Sequence, residues 1–185
     1  QFGIGFSLFI LIASSVASYW SIKNQMQHRE NVSQSRRSVT AVKDVLIALL
    51  DAETGNRGYQ LTGRESFLDP YYKSLAEYSK SMDYAKSLDI TEPEQVERLK
   101  QLEKNVEVNI KNLKQFVENK KRGFEMTQYQ IEQSKLYMDT CRTLVLDFVK
   151  SEEVGLEKKN KDLDSSSSTT VWFIIFSSLA AIAVT

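Results

Sequence analysis

The amino-acid sequence predicts an all-α fold, an up-down-up-down four-helix bundle whose long outer helices are continuous with two transmembrane helices. Apolar residues recur every three or four positions, which is the spacing of one buried stripe on a helix. Glycine and proline interrupt that spacing at three places and so separate four helices. Both ends of the chain are apolar, since no charged residue precedes Lys23 or follows Asp164.

The first apolar segment, 1–21, predicts a transmembrane helix whose start lies before this sequence. From Phe2 to Trp20 every residue is apolar or small apart from Tyr19, and about 20 such residues cross roughly 30 Å of hydrocarbon. A cleaved signal peptide is the competing interpretation, because Ser14 to Ser18 could serve as a cleavage site. Such peptides have a basic start and a shorter apolar core, so the membrane span is favoured.

The last segment, 169–185, predicts the start of a second transmembrane helix. Trp20 closes the first span and Trp172 opens the second, and aromatic residues occupy these positions when both mark one membrane–water boundary. Residues 22–168 then form a single domain on one side of the membrane, with a membrane-proximal stalk. Membrane lipid is therefore an expected partner.

Composition argues against several other classes of protein. The 24 basic and 24 acidic residues cancel, so no nucleic-acid partner is expected. The only histidine, His28, falls in the stalk without other metal ligands nearby and is expected to be exposed. Cys141 is the only cysteine; burial is favoured over a crosslink to a second copy. No nucleophile–base pair or phosphate loop stands out, so neither a catalytic residue nor a cofactor is expected.

Glycine and capping signals place the helix boundaries. Gly63 suits a left-handed cap after the first helix, and Gly123 follows a basic last turn of the third. Thr91 and Glu94 have the spacing of a capping box at the start of the third helix. The predicted ends of the first three helices are Thr62, Leu88 and Arg122, and the fourth is predicted to begin at about Phe124.

The unequal helix lengths predict a stalk and a dimer. About 40 residues of the first helix lie outside the membrane and span about 60 Å, whereas the inner two helices reach only about 35 to 45 Å. Only the outer pair then continues to the membrane. Because a two-helix stalk buries little by itself, we predict a parallel homodimer through the stalk and the transmembrane helices.

The predicted core consists of three apolar stripes at helical spacing. They are Val39, Val42, Leu46 and Leu49; Leu99, Leu102, Val106, Ile110, Leu113 and Val117; and Met138, Cys141, Val145 and Phe148.

The stretch DAETGNRGYQLTG, 51–63, departs from this pattern. The first stripe continues onto Glu53, and Arg57 lies one turn further on the same face. An exposed pair at this spacing contributes only about 0.3 to 0.5 kcal/mol, whereas Gly55 and Gly58 together cost roughly 2 kcal/mol relative to alanine. Either a neighbouring helix packs unusually close here, or something needs access to the backbone.

This stretch resembles the signature of the type-three CHASE domains, which are sensory extracellular modules of cyclases and histidine kinases. The residues that carry the resemblance are Glu53, Thr54, Gly55, Arg57, Gly58, Tyr59, Leu61, Thr62, Gly63, Phe67, Leu68, Pro70 and Tyr71, with a weaker echo at Met138 and Asp139. Gln60 departs from the family, whose members more often have an apolar residue there. The resemblance covers about 21–170.

The resemblance implies a four-helix extracytoplasmic, or periplasmic, sensor between two helices in the inner or plasma membrane. The attached output module is most often a histidine kinase, with chemoreceptors and nucleotide cyclases as alternatives. A dimerisation spacer without a ligand is the competing hypothesis.

Two interpretations of the motif remain open. In the structural one, which is favoured, the glycines allow close helix contact and Glu53, Arg57 and Tyr59 form a buried polar layer. In the functional one, Arg57 holds a carboxylate or phosphate of a small ligand with help from Tyr59 and Arg64. The candidate ligand-binding or signalling residues are Asp51, Glu53, Thr54, Gly55, Arg57, Gly58, Tyr59 and Arg64.

Two further groups of side chains are considered weaker candidates. Glu152 and Glu153 are expected on a solvated face rather than as a general acid and base. Four tyrosines could line a pocket, although core and interface positions are favoured for them. They are Tyr71, Tyr72, Tyr78 and Tyr84.

Overall fold

The computed structural model describes residues 2–184 and folds them into four α-helices and a short 3₁₀ helix. The α-helices are α1 (Phe2–Thr62), α2 (Leu68–Ser87), α3 (Pro93–Lys121) and α4 (Gln128–Val184), and the 3₁₀ helix, Glu65–Phe67, precedes α2. No strand occurs in the described range. The chain divides into two compact units, one formed by 34–152 and the other by 1–33 together with 153–185.

The four helices of the 34–152 unit alternate in direction. The side-chain amide of Gln34 donates to the carbonyl oxygen of Asp89, so the end of α2 lies beside an early part of this unit's α1. Lys121 Nζ lies 3.4 Å from Tyr72 Oη, which places the end of α3 beside the start of α2. Gln95 Nε2, in the first turn of α3, donates at 3.0 Å to the carbonyl oxygen of Phe148, near the end of the part of α4 that belongs to this unit. The predicted up-down-up-down order is confirmed.

The predicted stripes form the core of this unit. Every member of the second and third stripes is buried, and so are Val42 and Leu49 of the first. Val39 and Leu46 are partly buried and pack against the same core. Cys141 is fully buried, which confirms the prediction for the lone thiol.

Glycine ends α1 and α3 as predicted. Gly63 has φ +67° and Gly123 has φ +84°, a backbone conformation that side-chain-bearing residues rarely adopt. The N–H of Gly63 donates to the carbonyl oxygen of Tyr59 at 2.8 Å. The glycines therefore close the last turns of the two helices.

The predicted start of α3 is wrong by one residue. Helix α3 begins at Pro93, and its N-cap is Glu92 in an extended conformation without a side-chain capping bond, so Thr91 does not form a capping box. Proline holds the preceding residue in an extended conformation and has no N–H that needs a partner. Pro93 thus places the boundary directly before itself and makes a side-chain cap unnecessary.

The predicted start of α4 is wrong by four residues. The helix begins at Gln128, not at Phe124, because a reciprocal cap forms at Thr127. The Thr127 N–H donates to Gln130 Oε1 at 2.9 Å, and the Gln130 N–H donates to Thr127 Oγ1 at 3.3 Å. This pairing is a capping box of the Thr-x-x-Gln type.

In the described part of the chain no helix combines the length and the apolarity that a membrane crossing requires. The spans predicted at 1–21 and 169–185 include Gln1 and Thr185, which lie outside the described residues, and both spans stay predictions. The unit formed by 1–33 and 153–185 draws its described residues from α1 and α4.

Candidate functional site

The two glycines of the motif lie where α1 packs against the start of α2. A Cβ atom on Gly55 would lie 2.8 Å from the carbonyl oxygen of Phe67 and 3.1 Å from both the backbone nitrogen and Cβ of Tyr71. A Cβ on Gly58 would overlap the Phe67 ring. The glycines therefore allow an unusually close helix contact, as the structural interpretation predicted.

Arg57 is paired with a buried carboxylate. Its Nη2 donates to Glu53 Oε1 at 2.5 Å, and the Arg57 side chain is 64% exposed whereas that of Glu53 is 5% exposed. A carboxylate in the core needs such a partner, because an uncompensated buried charge is strongly destabilising. Tyr59 is buried in the same core. Glu53 thus continues the first stripe and is paired with Arg57 at the rim of the core.

Two neighbouring amides extend the polar part of this core. Asn56 is buried, and its Oδ1 accepts from Gln60 Nε2 at 3.2 Å. Gln60 Nε2 also donates to the carbonyl oxygen of Phe116 in α3 at 2.9 Å. Gln60 therefore gives α1 a hydrogen bond to α3.

The other candidate residues of the motif are exposed. Asp51 and Thr54 face solvent, and Thr54 Oγ1 donates to the carbonyl oxygen one turn back at 2.8 Å. Arg64 is exposed, and its backbone N–H donates to Thr62 Oγ1 at 3.2 Å. Among the described residues, none of these three side chains forms a hydrogen bond or ion pair with Arg57. The anion site predicted around Arg57 stays a prediction.

A second polar cluster joins three helices, and we call it the Glu152 clasp (Ser35, Gln95, Arg98 and Glu152). Ser35 of α1 donates to Glu152 Oε2 of α4. Gln95 Nε2 of α3 donates to Glu152 Oε1 at 2.9 Å and to the Phe148 carbonyl oxygen at 3.0 Å. Arg98 Nη1 donates to Gln95 Oε1 at 3.0 Å. The Glu152 carboxylate of α4 therefore accepts hydrogen bonds from both α1 and α3.

The clasp corrects the prediction for Glu152. That side chain is half-buried and bonded to two helices rather than solvated, whereas Glu153 is exposed as expected. The sequence carried a signal for it, since Glu152 continues the third apolar stripe four residues after Phe148. Gln95 likewise lies four residues before Leu99, at the head of the second stripe, and is buried.

The predicted tyrosine cluster divides between core, groove and surface. Tyr71 is fully buried, its hydroxyl has no partner among the described residues, and burial raises its pKa to about 12. Its ring meets that of the exposed Tyr72 edge to face, with centroids 5.1 Å apart. Tyr84 is exposed. Tyr78 is half-buried and lines a groove between α2 and α3.

That groove has a volume of about 310 Å³. Its lining residues are Tyr78, Glu107, Ile110, Lys111 and Lys114. Burial, followed by the charge of Glu107, raises the pKa of Tyr78 to about 12, so the phenol is protonated at neutral pH. The sequence analysis named Tyr78 as a pocket candidate and Ile110 as a core residue, but it missed the exposed α3 residues Glu107, Lys111 and Lys114.

No cluster of three or more His, Cys, Asp or Glu that could hold a metal ion occurs among the described residues. His28 of α1 is half-buried, so the prediction that it is exposed is wrong.

Comparison with known proteins gives a family match. The profile of a family described as the CHASE3 domain matches residues 28–162. The chain is also similar to the crystal structure of the sensor domain of histidine kinase HK9 from Rhodopseudomonas palustris. The two are 19% identical, with a TM-score of 0.43 over 71% of this chain and 98% of that one. No curated protein sequence matches the chain.

Proposed function

This chain belongs to the CHASE3 family of sensor domains, and from that premise we propose that it is the sensory and transmembrane signalling region of a two-component sensor histidine kinase. A sensory role in a receptor follows from the family. The finer proposal places 22–168 outside the cytoplasm, between membrane spans at 1–21 and 169–185. It is supported by the charge-free apolar segments at both ends of the sequence. A chemoreceptor or nucleotide cyclase is the alternative parent.

The Glu152 clasp is the observation that carries the signalling mechanism. Gln95 binds Glu152, and Glu152 in turn accepts from Ser35, so a displacement of α3 changes the hydrogen bonds that relate α1 to α4. Helix α1 extends from residue 34 toward the N-terminus, and α4 extends from residue 152 toward the C-terminus. A stimulus that displaces α3 would therefore shift the equilibrium between two packings of α1 against α4.

The displacement in this proposal is small. Packed helices translate or rotate by about 1–2 Å in many signalling transitions, and a coupling free energy of about 1 to 3 kcal/mol changes an equilibrium 5- to 150-fold. The hydrogen bonds of the Glu152 clasp are numerous enough to supply a coupling free energy of that size. Piston, rotation and scissoring movements of α1 against α4 are all compatible with this proposal.

Adjacent glutamates in α4 provide the test in the full-length receptor. We expect Glu152→Ala to change the autophosphorylation rate in membranes at least about fivefold, which corresponds to roughly 1 kcal/mol of coupling. The matched control Glu153→Ala removes an exposed carboxylate one residue away and should leave the rate within about twofold. A folded Glu152→Ala receptor with the unchanged rate would contradict the mechanism and favour a dimerisation spacer.

A further inference from the structure

We propose that the groove between α2 and α3 binds a small organic monocarboxylate with an apolar body. The inference rests on the proposed function only for its consequence, the change in receptor output; the binding itself can be measured separately. The groove volume of about 310 Å³ lies at the lower end of the range for small-molecule sites.

The signature motif leaves little room for such a ligand. The Arg57 guanidinium already binds Glu53 at 2.5 Å, and the space that Gly55 and Gly58 leave open is filled by Phe67 and Tyr71. Glycine, which elsewhere allows a ligand to approach the backbone, here allows a neighbouring helix to do so. A stimulus site is therefore expected at the inner helices, α2 and α3, rather than at the motif.

Two ammonium groups at the groove explain why the ligand is an anion. Lys111 and Lys114 are three residues apart on α3, so their side chains project from neighbouring positions of one helix face. In the described part of the chain no ion pair or hydrogen bond engages either ammonium. Like charges at this spacing repel each other, and a carboxylate between them would relieve that repulsion.

The rest of the lining explains the apolar body and the single charge. Ile110 is buried, with 8% of its surface exposed, and is the apolar residue of the lining. The protonated Tyr78 phenol supplies a hydrogen-bond donor beside a ring face. Glu107 contributes a negative charge that acts on Tyr78. A second carboxylate on the ligand would therefore be repelled at the Tyr78 end, which favours monocarboxylates over dicarboxylates.

Occupancy of this groove would act on both inner helices. Tyr78 belongs to α2 and the lysines belong to α3, so a ligand between them changes the spacing of the inner pair. Helix α3 then passes the change to α4 through Gln95 of the Glu152 clasp. This step, unlike binding, depends on the proposed function.

Binding is tested by calorimetry and thermal unfolding of the full chain in detergent micelles. The probes are benzoate, phenylacetate and hexanoate, with benzamide as the uncharged counterpart of benzoate and terephthalate as the dicarboxylate. At least one monocarboxylate should bind and raise the unfolding temperature by mass action. Benzamide and terephthalate should bind at least about tenfold more weakly than benzoate when benzoate is that ligand.

Two double variants of α3 locate the site. Lys111→Gln with Lys114→Gln should weaken binding at least about tenfold, since both attractive charges are lost. Lys100→Gln with Lys104→Gln removes two exposed lysines of the same helix outside the groove and should leave binding within about twofold. Equal affinity in the two double variants, or no binding of any probe up to about 10 mM, would overturn the proposal. Binding without a change in receptor output would contradict the coupling through α3 and leave the site intact.

Discussion

Gly55 illustrates how one residue sets the distance between two helices. Its Cβ position is blocked by the Phe67 carbonyl oxygen at 2.8 Å and by the Tyr71 backbone nitrogen at 3.1 Å, and backbone atoms cannot turn aside as a flexible side chain can. We expect Gly55→Ala to lower the free energy of unfolding by about 1 to 3 kcal/mol, the usual consequence of overpacking. Chemical denaturation of the full chain in micelles measures it.

Gly155 is the matched control for that substitution. It also lies inside a helix, but a Cβ there would meet nothing within 4 Å, so Gly155→Ala should stabilise the chain by up to about 1 kcal/mol through helix propensity alone. If both substitutions changed stability in the same direction and by the same amount, the close contact at Gly55 would have no energetic weight.

Asn109 is a buried amide without a role in either polar cluster. It is fully buried in α3, and neither Oδ1 nor Nδ2 has a partner among the described residues. Leucine has the same branching without polar atoms, and removing an unsatisfied buried group avoids a penalty of about 1 to 3 kcal/mol. We expect Asn109→Leu to raise the unfolding temperature by several degrees.

The control for Asn109 is Asn112 in the same helix, which is only partly buried. Asn112→Leu should change stability by less than about 0.5 kcal/mol. An Asn109→Leu chain that melts at a lower temperature than the unsubstituted one would show that the amide has a partner in solution.

For single residues, the burial of apolar side chains could be predicted from the sequence, whereas the hydrogen-bond partners of polar side chains could not. The spacing from Leu99 to Val117 identified a fully buried stripe, because burial of one helix face requires that period. The pairing of Gln95 with Glu152 depends on residues 57 positions apart, and no local period reports it. Glu53 was recognised because it interrupts a stripe, and the same reasoning applies to Glu152.

Helices α1 to α4 show which element boundaries a sequence reveals. Gly63 and Gly123 were found because glycine adopts, without strain, the positive φ that ends a helix in this way. The start of α4 was missed because Thr127 was not recognised as a cap. Its partner Gln130 is a glutamine, whose amide oxygen accepts the backbone N–H as well as a glutamate would.

The capping box of α4 leads to a prediction for that element. Thr127→Ala removes the acceptor for the Gln130 N–H, which lies 3.3 Å from Oγ1, and should cost about 1 kcal/mol. Thr143 is the control, because its Oγ1 only bonds back to the Asp139 carbonyl oxygen within α4. Thr143→Ala should be nearly neutral in the same thermal unfolding measurement. Equal losses in both variants would count against the cap.

At the scale of the whole molecule, the number and order of the helices followed from three breaks, whereas the way α3 is tied to the outer helices did not. The unequal lengths that the sequence predicts are found, with 61 and 57 residues in the outer helices and 20 and 29 in the inner ones. The length of a helix follows from local signals at its two ends. The hydrogen bonds of the Glu152 clasp form only when three helices are already packed together, so no local signal predicts them.

The predicted parallel homodimer is testable on the unit formed by 1–33 and 153–185. Ile22 and Met26 are 59% and 67% exposed, and their spacing of four places both on one face of α1. Two such faces would bury each other in a parallel dimer, with identical residues close to the symmetry axis.

We therefore expect Ile22→Cys to form a disulfide-linked dimer in membranes under mild oxidation. Asn24→Cys, on the opposite face, should remain largely monomeric on a non-reducing gel, and the unsubstituted chain is the background control because Cys141 is buried. Equal crosslinking at Ile22 and Asn24 would reject this dimer face.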